Sequence, residues 1–560
     1  MRYISLILAI IMCVSCFTPV VSAEEQEVIR YYVSVSGNDA NKGTQEAPFK
    51  TIEAARDAVR NNRDRKNKRI EVIFEEGTYK VDEAVLFEYK DSGAKGSPIV
   101  YKAAEGAKVS WSGGIAISKD LLKPVEDNKI LESLYPEVRD KIRMVDLTQI
   151  GVNSVAGIDM MDHTYTPELA PITFYTGDTE MLLGRYPNEG ETLIRTGKVV
   201  DTGSNRELGD TDKRPGAFKY LDDRIEKWQN IEDVWMWGEW YWAWAPSTTN
   251  IGRLDTENDI IYTGLWSAWG YQGDKPYYYF NVLEEIDVPG EYYIDRKNCK
   301  VYLYPVDENQ DMYLTELTDN IIRTDNASHI RFENIIIEGS RTDGVYISDG
   351  EDVRIDGCTI RSIGKKGIYI HSGYEHKVLN NEMYNLGAGG VMMDTTVGDM
   401  EFLVSSNTII ENNHIYDFSK WVTAYSEAIR LDGVGAVARY NTIHGTSHMA
   451  VRVNGINSIF EYNEVYDAVR DNDDAGAVYM FYNSDSRNCK IRYNYIHGVA
   501  KRKEKSSTGC WTIYYDGFHS DKDLYGNIIK DVAGGVHING GQMHNIYSNL
   551  FIDVDTPFWT

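Results

Sequence analysis

The sequence predicts an all-β fold: a right-handed parallel β-helix with an N-terminal capping helix and an inserted β-sandwich-like domain. Three observations carry that expectation. A short phrase returns nine times between His329 and Val554, as FENIII, RIDGCTI, LNNEMY, IENNHIY, ARYNTIH, FEYNEVY, IRYNYIH, LYGNII and IYSNLFI. Its anchors are Asn334, Gly357, Asn381, Asn413, Asn441, Asn463, Asn494, Asn527 and Asn549. They lie 23, 24, 32, 28, 22, 31, 33 and 22 residues apart, a floor near 22 with insertions, as in a solenoid whose coils carry loops. Apolar and polar residues alternate with period two around each anchor, which indicates strand rather than helix. A second phrase follows (DGVYIS, KGIYIH, GGVMMD, EAIRLD, MAVRVN, AGAVYM, WTIYYD, GGVHIN), so each coil supplies two or three short strands. Asn and Gly both tolerate positive φ, so the anchor reads as a left-handed turn residue.

Taken in order, residues 1–23 read as a secretory signal. Arg2 supplies the charge, Ile4 to Val14 the apolar run, and Val21-Ser22-Ala23 the cleavage site. The run is too short for a membrane anchor, and Cys13 makes a poor lipobox for Cys16. The expected destination is the periplasm, the cell surface or the medium of a bacterium, with no membrane insertion. Residues 24–113 form the cap and first coils. Within them IRYYVSVS is a strand, and Thr51 to Arg63 is an amphipathic helix with Ile52, Ala55, Ala58 and Val59 on one face. Residues 114–305 lack the Asn ladder and read as an inserted all-β domain. Seven tryptophans crowd there between Trp235 and Trp269, either packing a core or forming a sugar-stacking wall. Residues 306–560 carry the main β-helix. It stops at Thr560 with no visible lid, so a chain truncated at its C-terminus is expected.

A net charge of −27 argues against nucleic acid and anionic membranes, and disfavours polyanionic substrates unless calcium bridges them. The 39 Tyr and 12 Trp suit a neutral glycan, whose ring faces stack on aromatics. Beyond the signal four cysteines remain, Cys299, Cys358, Cys489 and Cys510, without a CxxC or Cys/His metal spacing. Buried free thiols are expected in preference to a Cys489–Cys510 bridge. No cofactor is expected.

Aligning the second phrase on its Gly or Ala start yields two outward columns. The first holds Tyr346, Tyr369, Met392, Arg430, Arg452, Val478, Tyr514 and His537. The second holds Ser348, His371, Asp394, Asp432, Asn454, Met480, Asp516 and Asn539. Three coils swell the same turn, from Asn413 to Ala428, Asn463 to Gly476 and Asn494 to Thr512, and their loops should wall one groove. Those loops carry Trp421, Tyr425, Asp471, Asp473, Asp474 and Trp511, together with the KRKEK run from Lys501 to Lys505, which reads as solvated surface. The candidates for substrate binding are His371, Asp394, Trp421, Glu427, Arg430, Asp432, Arg452, Tyr479, Trp511, Tyr514, His537 and Asn539. Asp394 and Asp432 are successive column members, so they also stand as a rival acid/base pair or a calcium site.

The opening YYVSVSGNDANKGTQEAPFKTIEAARDAVR, the segment NVLEEIDVPGEYYIDRKNCKVYLYP, and the pair DAGAVY and IYYDG resemble the β-helix glycoside hydrolases of family 141. That family is known for α-L-fucosidase and xylanase activities. The resemblance implies catalytic carboxylates at Asp474 of DAGAVY and Asp516 of IYYDG. It departs at Gly517, where the family often has a second acid, and at Asn539, where a His is expected. Glycoside hydrolysis needs one protonated and one ionised carboxyl flanking the bond. Six residues of straight strand would hold the two aspartates roughly 20 Å apart, so the pairing requires the swollen turn to fold back over the groove. The expected partner is a polysaccharide or oligosaccharide and the expected state a monomer. A calcium-dependent polysaccharide lyase and a non-catalytic glycan-binding solenoid are the alternatives, and the pectin-depolymerase motifs NTD, GHG and RIK are absent.

Overall fold

The structure is a computed structural model that describes residues 27–161, 166–394, 397–500 and 509–560. The expected signal and the KRKEK run lie outside the described residues.

Three faces of parallel strands wind along the chain. One is a 12-stranded sheet that begins with Val28–Val33, Arg69–Phe74 and Ile99–Ala103 and continues from Ile330–Glu333 to Asn545–Tyr547. The other two faces share a 20-stranded sheet, joined where the long strand Ile528–Asn539 pairs with both. The stacking is set from inside. Ile322, Val345, Ile368, Val391, Ile429, Val451, Val478, Ile513 and Val536 are register partners in succession, and all are fully buried. Burying each such side chain contributes about 1.5–3 kcal/mol. A slip of one residue in any coil would turn that coil's apolar set outward.

The cap is a helix, Ile52–Asn61, whose N-cap Thr51 accepts from the Ala54 amide at 3.2 Å. Ile52, Ala55 and Val59 close the interior of the first coils. The insert leaves through Gly114–Ile117 and returns through Met312–Thr315, which pair with each other, so it closes beyond Pro305. Besides that small sheet it holds a five-stranded and an eight-stranded sheet. The solenoid continues across the interruption, with Val85–Glu88 paired to Ile322–Asp325 and Val109–Ser112 to Ile336–Glu338.

The repeated Asn does a different job from the one its turn tendency implies. From Asn381 onward the left-handed residue is the one before the anchor: Asn380, Asn412, Tyr440, Tyr462, Tyr493, Gly526 and Ser548, with φ from +55° to +69°. Only Asn334 and Gly357 take that conformation themselves. The anchors instead form an amide ladder. Asn413 Nδ2 donates to Asn441 Oδ1 at 2.9 Å and to the Val378 carbonyl at 3.0 Å, and its neighbours repeat the pattern up to Asn549. A buried amide must be partnered, and stacked coils offer each one the same partners. All four described cysteines are buried and none of them forms a disulfide. No helix among the described residues is long and apolar enough to cross a membrane.

Candidate active site

The face built by the second phrase carries the candidate residues. Its first outward column reads Tyr369, Met392, Arg430, Arg452, Tyr479, Tyr514 and His537. Tyr479, not Val478, occupies that rung, and Phe481, not Met480, stands opposite Asp516. The residue equivalent to Gly367 is Ala477, one place after the Gly476 used for the alignment. Val478 and Met480 are fully buried interior residues.

Asp474 sits in the turn before the strand Ala475–Phe481 with φ +51°. Its carboxylate reaches the next coil, where Oδ1 accepts from the Tyr514 hydroxyl at 3.0 Å. Gly476 permits the fold-back, since a Cβ there would meet Tyr514 Cβ at 2.6 Å. The Tyr514 ring meets that of Tyr479 edge-on at 5.1 Å, and the Tyr479 hydroxyl donates to Asp516 Oδ2 at 2.6 Å. Asn539 Nδ2 donates to Asp516 Oδ1 at 2.9 Å. Each carboxylate is therefore held by one tyrosine, and the two tyrosine rings touch between them.

Burial pushes the Asp474 carboxyl up; the Tyr514 hydrogen bond pulls it down, and the charge of Asp516 adds to the rise. Burial pushes both phenols far above their ordinary value, helped at Tyr479 by Tyr425 and Asp516 and at Tyr514 by Asp474 and Asp516, so both remain protonated donors. His537 stacks on Tyr514 at 4.6 Å and lies 4.7 Å from Trp511, and burial lowers its imidazole.

The adjoining coils hold a charged cluster. Glu427 is fully buried and receives Arg430 Nη2 at 2.9 Å, with Arg452 Nη1 at 3.7 Å. Arg452 Nη2 donates to Asp432 Oδ2 at 2.6 Å. Arg430 Nη1 stands 4.0 Å from Asp394, which also accepts from the Tyr369 hydroxyl at 2.7 Å. Burial pushes Asp432 up to about 6 against the pull of Arg452 and Arg430. Guanidinium groups face both Asp394 and Asp432, so this donor set does not fit calcium. Among the described residues no group of three or more His, Cys, Asp or Glu side chains could hold a metal ion.

Other predicted residues fall differently. Trp421 packs against the core of the insert, next to a Trp237 Nε1 to Thr423 Oγ1 hydrogen bond of 3.1 Å and a Lys420–Glu180 ion pair of 2.5 Å. It is committed to an interdomain contact. His371 is exposed beside Tyr346 and Tyr369, with ring distances of 6.4 and 6.1 Å. Tyr425, from the first swollen loop, lies 6.2 Å from Tyr479. The structure adds His448, buried 4.7 Å from Tyr425, which sequence reading missed because it precedes the strand Val451–Val453 and belongs to neither column.

A family described as "Right handed beta helix region" matches residues 320–420. The fold is a right-handed parallel β-helix. A solved structure described as a glycoside hydrolase superposes with a TM-score of 0.72 at 15% identity, covering 94% of this chain and 97% of that one. A GH136 lacto-N-biosidase from Eubacterium ramulus gives 0.41 at 11% identity, covering 93% of this chain and 67% of that one. A family 28 exopolygalacturonase of Yersinia enterocolitica gives 0.40 at 11%, covering 95% and 77%. No curated protein sequence matches the chain. These likenesses concern the fold, and β-helices host several chemistries.

Proposed function

We propose that this protein is an exported glycoside hydrolase resembling family 141, acting on a fucoside- or xylan-type oligosaccharide or polysaccharide. The observation that carries the reading is the aspartate pair on one outward face, with Asp474 biased toward its protonated form by burial. Asp474 has the character of the general acid that protonates the leaving oxygen. Asp516 accepts one hydrogen bond on each oxygen and serves as nucleophile or base. Arg430 and Arg452 are braced from behind by Glu427 and offer fixed donors to sugar hydroxyls. Trp511 and Tyr514 are buried rings that back the half-buried His537 beside the pair. The acidic surface fits a neutral glycan.

The test is release of reducing sugar from aryl α-L-fucosides, aryl β-xylosides and plant polysaccharides, with Asp474→Asn and Asp516→Asn as controls. Proton NMR of the first-formed anomer reads the stereochemistry. Products with unsaturated, ultraviolet-absorbing ends, or turnover by both variants undiminished from the parent's, sink the hydrolase reading.

A further inference from the structure

The insert places its tryptophans in two populations. Trp235, Trp237 and Trp240 are buried in its packing. The turn that follows displays Trp242, 38% exposed, and the half-buried Trp244. Their rings lie 13° from parallel with centroids 6.5 Å apart, and Trp269 meets Trp244 edge-on at 5.2 Å. This turn is tied to the loop that carries Asp474, because Asn472 Nδ2 donates to the Ala243 carbonyl at 2.9 Å.

From there ring contacts continue to the aspartate pair, passing through the buried Tyr479. Trp244 meets Tyr425 edge-to-face at 6.3 Å, and Tyr425 lies 6.2 Å from Tyr479 and 5.5 Å from Phe481. Tyr479 ends the path at Asp516. Polar groups adjoin the outer rings: Glu207 Oε1 accepts from Trp242 Nε1 at 3.2 Å, and the Arg206 guanidinium covers one face of Trp269, 5.2 Å from its centroid. Indole faces with a carboxylate and a guanidinium alongside match a sugar ring, which is apolar on its faces and hydrogen-bonding at its rim. Exposed tryptophan on a turn adds nothing to the insert's own core, and an exposed aromatic patch rimmed by polar groups marks a binding surface.

We propose that Trp242, Trp244 and Trp269 form a distal sugar subsite linked by ring contacts to the aspartate pair, so that the ligand is an oligosaccharide chain and not a single terminal sugar. The proposal rests on the reading of the outward face as a glycan site, and it holds whether or not that face cleaves. The occupant is a neutral glycan chain; a protein partner is an outcome of the test.

The experiment uses the full chain carrying Asp474→Asn and Asp516→Asn on an array of plant and host oligosaccharides graded from two to eight units, followed by titration of the hits. The expected result is tighter binding of chains of five or more units than of two-unit fragments. Adding Trp242→Ala should lower that long-to-short affinity ratio about tenfold, one aromatic contact being worth about one factor of ten. Trp242→Phe should restore most of the ratio, and unchanged thermal melting excludes a folding cause. An unchanged ratio, an equal loss for all lengths, or no retained glycan of five units or more overturns the proposal. Hydrolysis of the same glycans by the unsubstituted protein is scored separately. Length-dependent binding without cleavage sinks the hydrolase reading and leaves the subsite standing.

Discussion

The Tyr479 hydroxyl donates to Asp516 Oδ2 at 2.6 Å from the neighbouring coil. A phenol held far above its ordinary value is a permanent donor, and it fixes the carboxylate's orientation on the outward face. Tyr479→Phe removes the donor and keeps the ring. A hydrogen bond to a charged group is worth about 1.5–3 kcal/mol, so kcat/KM should fall roughly 10–100-fold. Steady-state kinetics check this, and an unchanged value would show that Asp516 needs no such partner.

The aspartate variants separate catalysis from stability. Asp474→Asn and Asp516→Asn should each lower kcat by about 10²–10⁴-fold. For Asp474 the folded carboxyl holds its proton more tightly than the unfolded one. Its contribution to stability is complete below the unfolded value and is lost as pH rises through the folded value. Asn stays neutral at every pH, so Asp474→Asn should melt higher than the parent once pH exceeds the folded Asp474 value and alike below the unfolded value of about 3.9. A lower melting temperature at pH 8 would contradict the buried-acid assignment.

The pH profile tests the roles directly. A general acid works while protonated, so activity should fall as pH rises through the Asp474 value. The Tyr514 hydrogen bond favours the ionised form of Asp474 and pulls that value down. Tyr514→Phe should therefore move the alkaline limb of kcat/KM to higher pH. A shift to lower pH would reverse the assignment.

The amide ladder makes a stability prediction. Asn441 accepts from Asn413, by both its backbone amide and Nδ2, and donates to Asn463 and to the Ile410 carbonyl. Asn441→Ala leaves buried groups unpaired, and urea denaturation should show a loss of roughly 2–4 kcal/mol. The preceding Tyr440 is 52% exposed and left-handed at φ +58°. Tyr440→Asn keeps that backbone conformation accessible and should cost at most about 1 kcal/mol. Equal costs at the two positions would mean the ladder contributes nothing special.

Lys420 and Glu180 join the solenoid to the insert at 2.5 Å. Burial raises the Glu180 carboxyl and Lys420 opposes it. The Glu180 side chain is 7% exposed and that of Lys420 27%. Lys420→Met should cost roughly 2–4 kcal/mol, below a fully enclosed pair because the lysine keeps some solvent. Adding Glu180→Leu should recover most of it. A double-mutant cycle measures the coupling, and additive losses would show that the pair is idle.

Several details were out of reach of the sequence for identifiable reasons. The φ tolerance shared by Asn and Gly pointed to the turn, yet the anchors' partners lie 22 to 33 residues away on neighbouring coils, where no local pattern reports them. The choice between Val478 and Tyr479 turned on parity, which one Gly at the strand start obscured. Trp421 looked like a free ring on a groove wall, but the insert that covers it belongs to a distant stretch of chain. Arg430, Arg452 and Asp432 were visible as neighbours because EAIRLD and MAVRVN align residue for residue, with no offset at the strand start.

From the sequence alone, the stacked coils, the capping helix, the interruption by a second β-unit and the outward face outside the strand Ala475–Phe481 followed. A solenoid core demands an apolar residue at every second position in each turn of the chain, and such a demand is written locally. The tertiary structure alone decided that Asp474 folds back to Tyr514, that Tyr479 grips Asp516, and that Trp244 leans on Tyr425. Those contacts depend on how turns of unequal length bend and on where the insert docks, and neither leaves a periodic trace.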